Sequence, residues 1–125
     1  MNIFLIEDDE IYATFIRKAL NVNTEYKINH FTTAEDALVA ANGKFPDVLI
    51  IDYKLPGMNG IDLYEKLKPR ITNNQKVIML SALDDGNMVL SFIQKGVRDY
   101  VIKDENVIES LRAILDGKED DYLFN

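Results

Sequence analysis

Glu7 and Asp8 stand side by side straight after a short apolar run, Ile3-Phe4-Leu5-Ile6, and are followed by Asp9 and Glu10. Asp52 closes a second apolar run, Val48-Leu49-Ile50-Ile51. Ser81 closes a third, Val77-Ile78-Met79-Leu80, and Lys103 closes a fourth, Tyr100-Val101-Ile102. Acids, a hydroxyl and an amine, each ending an apolar run, are the parts of a site for a hard cation and a phosphoryl group. Two carboxylates about 4 Å apart repel by roughly 4 kcal/mol at an effective dielectric near 20. A pocket that gathers Glu7, Asp8 and Asp52 must therefore hold a proton or bind a cation. A small set of carboxylate oxygens suits Mg²⁺, or Mn²⁺ in its place, which keeps several waters and serves phosphate chemistry. A carboxylate flanked by such an ion, the Lys103 ammonium and the Ser81 hydroxyl is a reasonable phosphoryl acceptor, because ion and amine neutralise the incoming oxygens.

That chemistry needs elements that bring distant residues together. Apolar runs rich in β-branched residues, without alternation, predict strands buried on both faces, as in a parallel sheet. A weaker run, Lys27 to Phe31, supplies a fifth strand. Amphipathic stretches lie between the runs: Tyr12, Ile16, Ala19 and Leu20 share one helical stripe, and Ala34, Leu38 and Ala41 another. Met88, Phe92 and Ile93 form a third, read as core, and Val107, Leu111, Ile114 and Leu115 a fourth. Five repeats of strand then helix with right-handed crossovers predict a three-layer α/β sandwich. The length suits a flavodoxin-like (βα)5 sheet of order 2-1-3-4-5, since a barrel needs about 250 residues. Ligands of such sheets bind outside the carboxyl ends of the strands, at the switch in strand order. Strands one and three are neighbours there, so Glu7, Asp8 and Asp52 are expected to meet.

Local signals mark the helix ends. Thr32 with Glu35 reads as a capping box for the second helix. Asp9 reads as the cap of the first, and Asn106 with Glu109 as that of the last, with Asp104 in competition. Gly43, Gly96 and Gly117 fall where helices are expected to stop. Pro56-Gly57 marks a tight turn after Asp52. His30, the only histidine, lies in a predicted strand and reads as structural.

Composition narrows the function. The chain has 125 residues, 47% hydrophobic and 28% charged, which suits one globular domain. There is no cysteine, so disulfides, thiolate metal sites and cysteine nucleophiles are excluded. A net charge of -7 argues against direct binding of nucleic acid or an anionic membrane. No stretch approaches the ~18 apolar residues of a membrane span. The expectation is an acidic cytoplasmic domain over residues 1–117, then a tail, 118–125, that is acidic before it turns aromatic at Tyr122 and Phe124.

Four motifs in register resemble a family. Ile3-Phe4-Leu5-Ile6-Glu7-Asp8-Asp9, Asp52-Tyr53-Lys54-Leu55-Pro56-Gly57-Met58-Asn59-Gly60, Met79-Leu80-Ser81-Ala82 and Asp99-Tyr100-Val101-Ile102-Lys103 are similar to those of receiver domains of two-component response regulators, the chemotaxis regulator among them. The resemblance implies a phosphorelay switch that catalyses only its own phosphorylation and dephosphorylation. Asp52 would be the phosphoacceptor. Glu7, Asp8, Asp52 and the backbone carbonyl of Lys54 would hold Mg²⁺. Ser81 would turn its hydroxyl to the phosphoryl group, Lys103 would pair with its oxygens, and Tyr100 would change rotamer with them. A sensor histidine kinase or histidine phosphotransfer protein would be the donor. An output domain or protein partner would meet the face built from the fourth helix, fifth strand and fifth helix, and two copies of the chain could pair. Lys54 and Leu83, two places after the acceptor and the hydroxyl, would tune the phosphoryl lifetime.

Two departures stand out. The family usually has proline after the lysine, often through a cis peptide, and here Asp104 stands there. A cis bond without proline costs about 2.5–4 kcal/mol, so a trans peptide is expected. Ser81 replaces the commoner threonine and lacks the branch that stiffens its rotamer. Three other readings compete. An aspartate-nucleophile phosphohydrolase would want an acid where Lys54 stands, and a cap domain that 125 residues cannot hold. A flavin carrier of this fold would want a Ser-, Thr- and Gly-rich loop where Glu7 to Glu10 would repel phosphate. An inactive receiver that serves only as an interaction module would not need the intact acid set.

Overall fold

The computed structural model describes residues 1–22, 24–82 and 87–117. The expected tail and Leu83 lie outside the described residues. Five strands alternate with five helices: β1 Asn2–Ile6, α1 Glu10–Leu20, β2 Lys27–Phe31, α2 Ala34–Gly43, β3 Val48–Asp52, α3 Gly60–Leu67, β4 Lys76–Ser81, α4 Val89–Gln94, β5 Asp99–Ile102 and α5 Val107–Leu115. A short 3-10 turn, Lys68–Arg70, extends α3. All strand pairs are parallel, and the order is β2-β1-β3-β4-β5, as the run pattern predicts.

β3 is buried at every position, which is why its sequence is an unbroken apolar run. The sheet divides the core in two. Phe4, Ile6, Leu49, Ile51 and Met79 pack against Ala37 of α2, Leu63 and Leu67 of α3 and Phe92 of α4. Ile3, Leu5, Ile50, Ile78 and Val101 pack against Ala13, Ile16 and Leu20 of α1 and Leu111 and Ile114 of α5. Alternate residues of each strand supply the two layers, as the pleat requires.

Three sequence expectations need correction. The cap of α2 is Thr33, whose hydroxyl accepts from Asp36 N at 3.1 Å, one position later than the Thr32–Glu35 box; the helix starts late enough to bury Ala34. Asn106 occupies the cap position of α5 without a side-chain bond; instead Asp104 Oδ1 accepts from Asn106 N at 2.8 Å. Ile93 is 53% exposed, with Leu90 at 63%, while Phe92 is fully buried. α4 has six residues, and its buried side is too narrow to cover both Phe92 and Ile93. Gly96 and Gly117 follow α4 and α5 with φ of 101° and 71°, the left-handed conformation that ends helices. Gly43 is instead the last residue of α2.

Candidate functional site

The carboxyl ends of β1, β3, β4 and β5 meet at one edge of the sheet. Glu7 follows β1 and is held on the backbone from two sides: its N–H donates to Phe31 O at 2.9 Å, and its carbonyl accepts from His30 Nε2 at 2.7 Å. A carbonyl can only accept, so Nε2 carries a proton. His30 is thus structural, as expected, but what it fixes is the first residue of the acid pair. Asp9 caps α1 through bonds from Ile11 N and Tyr12 N at 3.0 and 3.1 Å, which orients the loop carrying Asp8.

Asp52 is the last residue of β3, and the backbone beyond it is fixed by Tyr53 N donating to Leu80 O at 2.8 Å and Gly60 N donating to Tyr53 O at 3.0 Å. Gly60 begins α3 tight against this bend: a Cβ there would lie 2.4 Å from Asp52 O. Gly57, at φ 72°, makes the turn between. Asn59 and Asp62 form a capping box that starts α3. Lys54 lies exposed in the same loop. Ser81 ends β4, fully buried, its Oγ 3.5 Å from Ala82 O, the outer limit of a hydrogen bond. Lys103 follows β5, its N–H donating to Ser81 O at 2.8 Å. The Lys103–Asp104 peptide is trans, as expected.

These elements bring Glu7, Asp8 and Asp52 together: one carboxylate oxygen from each lies within 4.8 Å of the others. Glu7 and Asp52 are buried and Asp8 is exposed. Lys103 Nζ reaches Glu7 Oε1 at 2.5 Å and Asp52 Oδ2 at 3.2 Å. Burial, and then the neighbouring Asp52, push Glu7 up to about 7 against the pull of Lys103. Burial also raises Asp52, against the pull of Glu7 and Lys103. Lys103 is raised although burial opposes it, because Glu7 and Asp52 both favour its charged form. Burial thus favours the protonated carboxyls, a divalent cation would favour the charged ones, and the hard oxygen set fits Mg²⁺.

Tyr12 shares the helical stripe of Ile16, Ala19 and Leu20, yet its ring lies under Lys103 Nζ at 4.8 Å from the centroid. Tyr100, on β5, is 41% exposed, and Leu90 and Ile93 of α4 are also exposed apolar residues. The ring of Tyr53 packs on Phe92 of α4, with centroids 5.2 Å apart, so the residue after Asp52 touches that helix.

The model of the response regulator receiver domain matches residues 3–116. The chain belongs to that family. This receiver domain is 28% identical over 122 residues to the transcriptional regulatory protein DesR of Bacillus subtilis (strain 168), covering 94% of this chain and 60% of DesR. It is 28% identical over 114 residues to the chemotaxis protein CheY of Thermotoga maritima, covering 88% of this chain and 94% of CheY. The solved structure of the Francisella response regulator 1452 receiver domain superimposes with a TM-score of 0.73 at 27% identity, covering 94% of this chain and 98% of that one. The chain thus spans 60% or less of relatives such as DesR and the phosphate regulon regulator PhoB, and nearly all of CheY. Receiver domains of two-component systems are signalling switches rather than turnover enzymes. Among the described residues no helix is long and apolar enough to cross a membrane.

Proposed function

We propose that this receiver domain accepts a phosphoryl group on Asp52 from the phosphohistidine of a partner kinase or phosphotransfer protein. The observation that carries this reading is the convergence of three carboxylates from β1 and β3 on the amine of Lys103. Asp52 is the acceptor because it is the acid at the end of the central strand that the amine also reaches. Its carboxylate oxygen forms the new O–P bond as the donor's P–N bond breaks. The electron pair returns to the imidazole, which takes up a proton from solvent. Glu7, Asp8, Asp52 and the Lys54 carbonyl would hold Mg²⁺, which when bound neutralises charge on the transferring oxygens. Lys103 keeps its proton and moves from Glu7 toward the phosphoryl oxygens. Ser81, whose hydroxyl has no strong partner to give up, donates to them.

The added charge is then read on the opposite side of β4 and β5. Leu90 and Ile93 of α4 and Tyr100 of β5 are exposed apolar residues. The Tyr53–Phe92 contact links α4 to the residue next to Asp52. A change in how Ser81 and Tyr100 sit would bias α4 and β5 toward a second arrangement that an output domain or protein recognises.

Acetyl phosphate with Mg²⁺, read by intact mass, tests the reaction. The wild-type chain gains roughly 80 Da, one phosphoryl unit, and Asp52→Asn does not. An unlabelled wild type, or equal labelling of the Asp52→Asn variant, would overturn the assignment.

A further inference from the structure

Lys103 reaches the acids from the end of β5 across open loop backbone. Its side chain is 20% exposed, and the residue after it is Asp104 rather than a ring-constrained proline. Two of its contacts are carboxylates, Glu7 and Asp52. Both change when Asp52 is phosphorylated: one acceptor becomes an acyl phosphate, and the amine must leave the other to follow it. The Tyr12 ring is the neighbour that does not change charge. It comes from α1, a helix capped by Asp9, and its centroid lies 4.8 Å from the ammonium. The Tyr12 hydroxyl is buried and has no hydrogen-bond partner. The oxygen therefore supplies no hydrogen bond that would fix the ring, and the charged contact of Tyr12 is made by its face. An aromatic face attracts an ammonium most where water is excluded.

We propose that Tyr12 is a positioning residue for Lys103, its ring face holding the amine over the pocket before and after phosphoryl transfer. This rests on Asp52 being the acceptor, as argued above. The Tyr12 hydroxyl makes no hydrogen bond to the acceptor or to an acid, and the residue acts through the lysine. The ring, and not the hydroxyl, is the part that matters.

The experiment compares wild type, Tyr12→Phe and Tyr12→Leu as folded full chains. The first readout is the NMR shift of the Lys103 side-chain CεH₂ protons without phosphodonor. A ring face beneath the ammonium moves these protons upfield. The displacement is kept in Tyr12→Phe and lost in Tyr12→Leu. The second readout is the initial rate of acetyl phosphate labelling at saturating Mg²⁺. It is unchanged within about twofold in Tyr12→Phe and about 3- to 10-fold slower in Tyr12→Leu, the range a partly desolvated cation–ring contact supports. A Lys103 shift that is the same in Tyr12→Leu as in wild type overturns the proposal. So does a Tyr12→Phe rate as low as that of Tyr12→Leu, which would assign the effect to the hydroxyl. If the wild type shows the ring shift but takes no label, the acceptor assignment fails and the Lys103–Tyr12 contact stands. Should Tyr12→Leu unfold, Tyr12→Met, which keeps bulk without a ring, replaces it with the same expected losses.

Discussion

Lys103 Nζ stands 2.5 Å from Glu7 Oε1, closer than the 3.2 Å that separates it from Asp52 Oδ2. In the resting pocket the lysine belongs first to the residue that follows β1. Its role there is to make two buried acids tolerable, since a buried carboxylate without a partner is expensive. Removing the amine and removing one acid should therefore have opposite effects on stability. Lys103→Met is expected to lower metal-free stability by about 1–3 kcal/mol, less than a fully buried pair would cost because Glu7 can stay protonated. Asp52→Asn is expected to raise it by about 1–2 kcal/mol by relieving like-charge repulsion. Urea melts at neutral pH without divalent ions measure both, and equal signs would refute the charge argument.

The same pocket makes stability depend on pH. In the folded chain the Glu7 carboxyl keeps its proton to about 7, against an ordinary value of 4.5. Its contribution is complete below the ordinary value. Between the two values the unfolded chain ionises while the folded chain does not, so stability falls by up to about 1.4 kcal/mol per pH unit. Above about 7 the loss is complete. Asp52 is also raised and acts in the same direction from its own lower starting value. Lys103 is raised above 10.5, so its contribution is constant over this range. The melting temperature in EDTA is expected to decline between pH 5 and 7.5. Glu7→Gln should flatten most of that slope, and a slope unchanged by it would place the titration elsewhere.

Divalent cation should reverse the decline. An ion that binds only the folded chain stabilises it by an amount set by its concentration over its dissociation constant, about 1.4 kcal/mol at tenfold excess. With Mg²⁺ at pH 8, the wild-type melting temperature should rise by several degrees. Asp52→Asn should show a clearly smaller gain, because one of the three converging oxygens has lost its charge. Equal gains in the two proteins would mean that the ion binds away from Asp52.

Strand ends were the most legible part of this molecule. Sheet order follows from apolar runs separated by helical stripes, and that order brings Glu7, Asp8 and Asp52 together. Tertiary packing decided what the pattern could not. Thr32 and Thr33 are chemically alike as caps, and the choice fell to the register that buries Ala34. Met88, Phe92 and Ile93 share a helical spacing, yet in a helix of six residues only one face is covered. Tyr12 is legible as one residue of a helical stripe, but its place under Lys103 depends on how α1 is set relative to the end of β5. No periodicity encodes that placement.

Gly60 shows how closely the site backbone is packed. An added Cβ would meet Asp52 O at 2.4 Å and Tyr53 Cα at 3.0 Å. Both are main-chain atoms that cannot swing aside. Gly60→Ala must therefore move the start of α3 or the end of β3. A cost of about 1–3 kcal/mol is expected from overpacking, with a marked slowing of acetyl phosphate labelling because Asp52 moves with its carbonyl. Ala at Gly43, where nothing lies within 4 Å, is the control. There, neither melt nor labelling should worsen. A Gly60→Ala protein that labels at the wild-type rate would show that the acceptor tolerates displacement of its own strand end.

The last prediction concerns α4, where neighbouring apolar residues have opposite surroundings. Phe92 is fully buried and packs against Tyr53 in a tilted ring pair, whereas Leu90 and Ile93 are 63% and 53% exposed. Truncating Phe92 to Ala opens a cavity on both Tyr53 and the core and is expected to cost about 3–5 kcal/mol. Phe92→Leu keeps most of the volume but loses the ring pair, worth about 0.5–1.5 kcal/mol. Leu90→Ser and Ile93→Ser should stay within about 0.5 kcal/mol of wild type, as exposed substitutions do, and should label with acetyl phosphate at the wild-type rate. If the exposed pair is instead core in the working protein, both Ser variants will melt several degrees lower in urea or heat. An interaction surface on α4 requires the opposite: residues that the fold does not need and the pocket does not feel.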